Sequence, residues 1–325
     1  MFDGKKQDDA AHRLGQGPAM IREQMDGSDW AIMGALALIW GAAFLFIDVA
    51  VRHVPPFTYV FLRLAFATAV MWALLAWRGE RLGLPRQAWT AILLLALLNN
   101  ALPFALFGWA QTHIASGLAA ILNATTPIWG VLVAHLFTTD ERLSPRKLAG
   151  VLLGFGGVAL LIGPGVIGEL GTGVLAELAC VTASLSYALA GVWARRFKSM
   201  GISPVAVTTG QLTAGAAMML PLALIVDRPF ASPLPPLESL NAILALSVFC
   251  TALGYVLYFR LIEGAGATNA LLVTLLVPPV AILLGVLLLD EVVAPHDIAG
   301  LALIAVGLAA IDGRLLAFVR RPATA

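Results

Sequence analysis

The chain has 325 residues, of which 60% are apolar and 12% charged, and its mean hydropathy is +0.89. Soluble proteins carry about 25% charged residues, so this composition excludes a body built from soluble domains. A net charge of +1 without a basic stripe excludes a nucleic-acid partner. Cys180 and Cys250 lie in apolar runs and suggest neither a disulfide framework nor a metal site. The sequence predicts an all-α integral membrane protein, with the lipid bilayer as its partner.

Apolar stretches close to the length that crosses a bilayer as a helix, about 20 residues, occur ten times along the chain. Short segments between them hold nearly all of the charged and turn-forming residues. The ten predicted spans are Trp30–Ala50, Phe57–Trp77, Ala88–Trp109, Ile114–Phe137, Leu148–Val166, Gly173–Val192, Val205–Val226, Leu240–Phe259, Ala265–Leu289 and Ile298–Ile311.

Both ends of the chain are polar. We expect residues 1–28 to form a cytoplasmic tail rather than a signal peptide, and residues 314–325 to form a basic cytoplasmic tail. With ten alternating spans and the N-terminus inside, seventeen of the twenty Lys and Arg residues fall on the cytoplasmic side and two on the outer side, while Arg63 lies within a span. The positive-inside rule therefore predicts a multi-pass protein of a bacterial-type inner membrane with both termini cytoplasmic.

The two halves of the chain repeat one another. The first acidic pair follows the fourth span and its copy follows the ninth, so each repeat has five helices, and an odd number inverts the second copy. We therefore predict inverted repeats at 29–166 and 167–313, an architecture of secondary transporters that bind substrate near the midplane. The positions that recur at an offset of 150 are Asp140-Glu141, Pro145, Gly150 and Gly157, which match Asp290-Glu291, Pro295, Gly300 and Gly307.

The order of these motifs resembles the EamA-type branch of the drug/metabolite transporter superfamily. The resemblance covers nearly all of residues 30–313, including Trp40-Gly41-Ala42-Ala43-Phe44 in the first helix and Arg63 in the second. Each repeat then shows a small-residue stretch, a mid-helix Pro, an acidic pair and a glycine. The resemblance implies ten helices around a central cavity and movement of small polar metabolites, commonly amino acids or their analogues, often outward.

Arg63 is the ionisable residue placed well inside a span. A charge near a helix centre costs about 2.5–3.5 kcal/mol on insertion scales, so Arg63 is expected to face a cavity or a partner. It either recognises an anionic group such as a carboxylate, or bonds backbone carbonyls or Asp48, and the sequence leaves both open. The aligned position in the second repeat is Gln211.

Other candidate substrate-binding residues are polar or aromatic side chains at depth in the spans. Amides and hydroxyls there either bind substrate or bond neighbouring helices, and the rings either contact substrate or pack within the protein. Adjacent residues point about 100° apart on an α-helix, so at most one of two neighbouring Asn residues is expected to line a cavity. These candidates are Trp40, Asn99, Asn100, Asn123, Thr126, Tyr187, Gln211 and Tyr255.

Pro127 and the pair Pro278-Pro279 lie near the middle of the fourth and ninth spans. Each Pro removes a backbone donor and disturbs the helix, which makes these positions candidate hinges or static bends. Their matched placement favours a hinge. Glu177 and His135 are candidate proton-coupling groups, although both lie near a membrane interface.

Together these patterns predict a secondary carrier that exports amino acids or analogues by alternating access, as a monomer or homodimer, with no cofactor or metal. A passive channel and a drug or toxic-compound efflux carrier are the alternatives. A membrane-embedded enzyme would need a nucleophile with a base, a carboxylate pair or metal ligands at matched depth. The ionisable residues inside the spans lie instead on different helices and at different heights.

Overall fold

The computed structural model describes residues 26–138, 143–162, 172–231, 233–265, 270 and 273–312, and within these ranges the chain is helical with no β-strand. The helices, numbered in chain order, are α1 (Gly27–Val51), α2 (Pro56–Trp77), α3 (Arg86–Ala110), α4 (Ser116–Phe137), α5 (Pro145–Ile162), α6 (Thr172–Ser199), α7 (Pro204–Leu222), α8 (Leu237–Ala265), α9 (Val273–Leu288) and α10 (Pro295–Asp312).

The prediction of an all-helical membrane protein is confirmed. In the described part of the chain, seven helices are long and apolar enough to cross a bilayer, namely α1 to α4, α6, α8, and α7 with the turns that continue it to Ala231. The segments Leu276–Leu288 and Pro295–Ile311 are shorter apolar helices. The ten-span topology remains a prediction, and Asp140-Glu141 lie outside the described residues.

Prolines and caps set where the helices begin. Pro56, Pro145, Pro204 and Pro295 are the first residues of α2, α5, α7 and α10, a position where the missing N–H is not needed and the fixed φ suits the helix. Asp26 accepts hydrogen bonds from the first turn of α1. Several helices run past the predicted spans, because the spans count apolar residues whereas a helix continues into the polar interface.

Helices α5 and α10 pack closely through paired glycines. A Cβ added to Gly150 would lie 2.5 Å from the Gly307 carbonyl oxygen, and one added to Gly157 would lie 2.8 Å from the Gly300 carbonyl oxygen. The lower-numbered glycine of α5 thus meets the higher-numbered glycine of α10, so the two helices run antiparallel. Small residues permit this approach of two backbones.

The remaining contacts between the halves come in matched pairs. Helix α1 packs against α8 and α9, as α6 packs against α3 and α4, and α2 packs against its counterpart α7. A buried apolar cluster where α2, α3, α7 and α8 meet includes Tyr59, Leu64, Phe104, Leu212 and Leu246. This cluster surrounds the part of α2 that carries Arg63.

The glycine pairing yields a test of the α5–α10 contact. Gly157→Ala is expected to lower the midpoint of thermal unfolding, because overpacking a tight site costs about 1–3 kcal/mol and the new methyl group would press on the Gly300 backbone. Gly156→Ala is the matched control, since its Cβ would meet only a Leu303 side-chain atom at 3.4 Å. Size-exclusion profiles of heated, detergent-purified protein measure the midpoint. Equal midpoints for the two variants would contradict the close backbone contact.

Candidate functional site

Arg63 is buried in the centre of the molecule, with 6% of its surface exposed. Its Nη1 donates to the Tyr59 hydroxyl one turn earlier on α2 (2.9 Å), and its Nε donates to Thr251 Oγ1 on α8 (3.0 Å). The guanidinium carbon lies 3.7 Å above the centre of the Phe104 ring of α3. The charged guanidinium of Arg63 on α2 is therefore held in place by two hydroxyls and the face of an aromatic ring.

No carboxylate neutralises this charge among the described residues. The ion pairs of this part of the chain do not include Arg63, and Asp48 bonds Arg52, one turn later on α1. The alternative that Arg63 pairs with Asp48 is therefore wrong. A guanidinium has five N–H donors, and Nη2 makes no hydrogen bond to a described residue. The group retains donors for a further acceptor.

Helices α3 and α8 leave α-helical geometry at corresponding places. Residues Leu97–Ala101 of α3 and Leu246–Leu253 of α8 form π-helical turns, and the Thr251 hydroxyl also donates to the Leu246 carbonyl five residues earlier at 2.8 Å. Single π turns inside α-helices are frequent at functional sites. Both turns lie against the helices that carry Arg63 and Gln211.

The amides of α3 form a second polar group. Asn99 Nδ2 donates to Gln211 Oε1 (3.1 Å) and to the Tyr255 hydroxyl (2.9 Å), and Asn100 Nδ2 reaches the same hydroxyl at 3.2 Å. Both amides reach this hydroxyl from a π turn, and the expectation that at most one of the two Asn residues lines a cavity stays a prediction. Asn100 Oδ1 is buried without a hydrogen-bond partner among the described residues.

These two polar groups are built alike. Arg63 on α2 contacts Thr251 in the π turn of α8, and Gln211 on α7 contacts Asn99 in the π turn of α3. An amide of α7 thus makes the same kind of contact as the cation of α2, and the repeat relation between the two positions stays a prediction. The site combines one fixed positive charge with amide and hydroxyl groups.

Three of the four remaining candidates have partners among the described residues. Trp40 Nε1 donates to the Cys250 carbonyl (3.2 Å), and the Tyr187 ring stacks on Phe107 with centroids 6.2 Å apart. Thr126 Oγ1 donates to the Asn123 carbonyl of the preceding turn at 2.8 Å. Asn123 Oδ1 is buried and has no hydrogen-bond partner in the described part of the chain. Their substrate-binding roles stay predictions.

The prolines of α4 and α9 act differently on their helices. Helix α4 is divided into Ser116–Asn123 and Thr126–Phe137, and Pro127 lies in the first turn of the second piece. Helix α9 continues through Pro278 and Pro279. The interruption expected at these two residues is not seen, and the hinge role of all three prolines remains a prediction.

A cleft opens between one end of α2, α7 and α8. Its inner wall includes Tyr255, whose hydroxyl bonds the α3 amides, and Thr208, which is buried and makes no hydrogen bond to a described residue. Arg78, Arg260 and Glu263 stand around its mouth. The cleft thus ends at the side chain that adjoins the central polar groups.

Comparison with known proteins assigns the chain to a family. A sequence model described as "EamA-like transporter family" matches residues 29–163 and 174–311.

The chain belongs to the EamA-like transporter family.

Relatives of this EamA-family chain include "Uncharacterized transporter YoaV" of Bacillus subtilis, 23% identical over 84% of this chain and 93% of that protein. "Uncharacterized inner membrane transporter YedA" of Escherichia coli is 27% identical over 77% of this chain and 79% of that protein. A solved crystal structure that is 22% identical superposes with a TM-score of 0.64 over 91% of this chain and all of the other, a likeness of fold. The family and these relatives support a membrane transporter as the general class.

Sequence reasoning missed three residues of the Arg63 environment. Tyr59 lies four residues before Arg63, a spacing that brings side chains together on a helix. Thr251 matches Asn100 at an offset of 151, the same offset that relates Pro127 to Pro278. Phe104 gave no signal, because its contact with Arg63 depends on how α2 and α3 are packed.

The contact between Thr251 and Arg63 predicts a loss of stability on removal of one hydroxyl. Thr251→Val keeps the side-chain shape but leaves the Arg63 Nε–H unpaired, which costs about 1–3 kcal/mol. Thr182→Val is the control, since that hydroxyl is exposed and bonds the Leu178 carbonyl of its own helix. The reaction of buried Cys250 with a thiol-reactive dye on heating measures unfolding. If Thr251→Val unfolds at the same temperature as the wild type, the hydrogen bond between Thr251 and Arg63 does not stabilise the protein.

Proposed function

We propose that this protein is a secondary carrier of small polar metabolites that works by alternating access and exports amino acids or their analogues. Ten membrane-spanning helices form two inverted five-helix repeats, residues 29–166 and 167–313, with the 1–28 and 314–325 tails in the cytoplasm. The carrier lies in a bacterial-type inner membrane, in agreement with the inner-membrane relative of Escherichia coli.

The α5–α10 contact supports the inverted arrangement. Gly150 meets Gly307 and Gly157 meets Gly300, and adding the repeat offset of 150 to one member of each pair gives a member of the other. An antiparallel pair of equivalent helices has its two-fold axis perpendicular to both helices. For helices that cross a bilayer, that axis lies in the membrane plane, as inverted-topology repeats require.

The buried, unneutralised Arg63 is the observation that carries the proposed binding site. A lone guanidinium at this depth is costly, and its unused donors match the two oxygens of a carboxylate. The amides of Asn99 and Asn100 and the hydroxyl of Tyr255 add neutral hydrogen-bonding groups on α3 and α8, the two helices that also contact Arg63. A small molecule with one carboxylate and other polar groups suits this combination.

The cleft between α2, α7 and α8 supplies a route toward these groups. Arg78 and Arg260 attract a carboxylate and Glu263 attracts an ammonium, so its mouth suits a zwitterion. By the positive-inside expectation this end of the helices faces the cytoplasm, the side from which an exporter loads. Tyr255 then stands between the cleft and the interior.

A proton is the coupling ion in this proposal. Glu177 lies on α6 with Oε2 buried and without a hydrogen-bond partner among the described residues, and it interacts electrostatically with His296 and Asp297 of α10. The other candidate, His135, uses Nδ1 to accept from the Leu143 N–H at 3.3 Å. Both monomer and homodimer are compatible with this mechanism.

The alternatives differ in measurable behaviour. A passive channel commonly lines its filter with rings of like groups, whereas Arg63 is opposed by Gln211 in the other repeat. Channel flux shows no counterflow, whereas a carrier exchanges labelled for unlabelled substrate. A drug or toxic-compound efflux carrier would exchange apolar cations and not amino acids.

Counterflow in liposomes tests the function and the role of Arg63 together. We expect the wild type to exchange at least one amino acid or analogue, and Arg63→Gln to reduce exchange about ten- to a hundredfold, because a charged hydrogen bond contributes about 1.5–3 kcal/mol. Arg52→Gln is the control, since Arg52 is exposed and bonds Asp48.

Size-exclusion profiles verify that each variant is folded, and a pH gradient across the liposome tests the coupling. If folded Arg63→Gln exchanges substrate at the wild-type rate, Arg63 has no role in substrate recognition. Failure of every amino acid, analogue and drug to exchange would reject the carrier assignment.

A further inference from the structure

Glu291 joins the two halves of the molecule at one end of the helices. Its carboxylate accepts from the Ser116 N–H at 2.6 Å and from the Gly117 N–H at 3.0 Å. These amides begin α4, where the preceding Ala115 has no side chain that caps them. The first turn of a helix from the first half is therefore capped by the loop that follows α9 in the second half.

The end of α9 shapes the space that the Glu291 carboxylate occupies. Asp290 adopts a left-handed conformation with φ of 56°, and the Glu291 N–H donates to the Gly285 carbonyl at 3.1 Å, a pattern that closes helix ends. A Cβ added to Gly285 would lie 2.8 Å from the Glu291 carboxyl carbon. Glycine at 285 is thus what leaves room for the carboxylate to lie against α4.

The capped segment of α4 is separate from the rest of its helix. Ser116–Asn123 ends at a turn through Ala124 and Thr125, and Thr126–Phe137 begins a new helical piece. The segment packs on Ile282 of α9 at Gly117, where an added Cβ would lie 3.3 Å from the Ile282 side chain. Release of the cap therefore frees a short unit that is already divided from its continuation.

We propose that Glu291 is a latch that holds the outer face closed, so that the resting carrier is closed outward. The proposal rests on the alternating access put forward above, and places Glu291 on the outer side by the positive-inside expectation. Two hydrogen bonds to a charged acceptor, reinforced by the helix dipole, make this the strong kind of contact. Outward opening requires both bonds to break. Asp48 of α1, which bonds Arg52, interacts electrostatically with Glu291.

Accessibility of a buried cysteine tests the latch. Ala281 lies one turn beneath Gly285 and is 1% exposed, so Ala281→Cys, in a chain with Cys180→Ala and Cys250→Ala, reports outer opening to a membrane-impermeant maleimide in right-side-out vesicles. Glu291→Gln weakens the bonds and Gly285→Ala displaces the carboxylate while keeping its charge. Each is expected to raise the initial labelling rate by about tenfold or more, the change that loss of about 1.4 kcal/mol produces.

The control variants make the same types of substitution, carboxylate to amide and Gly to Ala, at positions that make no contact between the two halves of the chain. Glu80→Gln alters an exposed carboxylate that pairs with Arg78, two residues earlier, at 4.0 Å, and Gly130→Ala adds a methyl group where nothing lies within 4 Å. Both are expected to leave the labelling rate unchanged. If the two latch variants label at the rate of these controls, the latch is rejected, even if the wild type shows counterflow. Faster labelling without wild-type counterflow would reject the carrier and retain the latch, because labelling needs no substrate.

Discussion

A guanidinium buried between four helices is the constraint on which the site depends. Arg63 cannot lose its charge, and on insertion scales a charge at this depth costs about 2.5–3.5 kcal/mol. The protein offsets that cost with the Tyr59 and Thr251 hydroxyls and the Phe104 ring, and among the described residues it supplies no carboxylate. We propose that the remaining donors bind an anionic substrate group.

The fold was largely predictable because the thickness of the bilayer sets the length of the apolar helices and the charged residues mark the segments between them. Apolar lengths located the seven long helices. Helix α9, in contrast to the expectation, stays continuous through Pro278 and Pro279. It packs closely against α1, where a Cβ on Gly41 would lie 3.2 Å from the Val277 carbonyl. A single sequence does not report how neighbouring helices pack.

The composition of the site was predictable, and its geometry was not. Arg63, Gln211 and the adjacent Asn residues stood out because polar groups inside spans are costly, and Arg63 and Gln211 each contact a π turn of a neighbouring helix. The π turns at Leu97–Ala101 and Leu246–Leu253 follow from no local residue signal, yet they bring both Asn amides to Tyr255. The acidic pair at 290 and 291 stood out as a repeated motif, but the partner of Glu291 on α4 became visible only from the packing of the two halves.

The inverted relation of the halves underlies the proposed chamber, the route to it and the latch, and sidedness tests it most directly. Asp140 and Asp290 are each replaced by a single cysteine in a chain that lacks Cys180 and Cys250. A membrane-impermeant thiol reagent then labels these variants in intact cells. We predict that Asp290→Cys reacts in intact cells and that Asp140→Cys reacts only after permeabilisation. Labelling of both from the same side would contradict the inverted repeat and everything built on it.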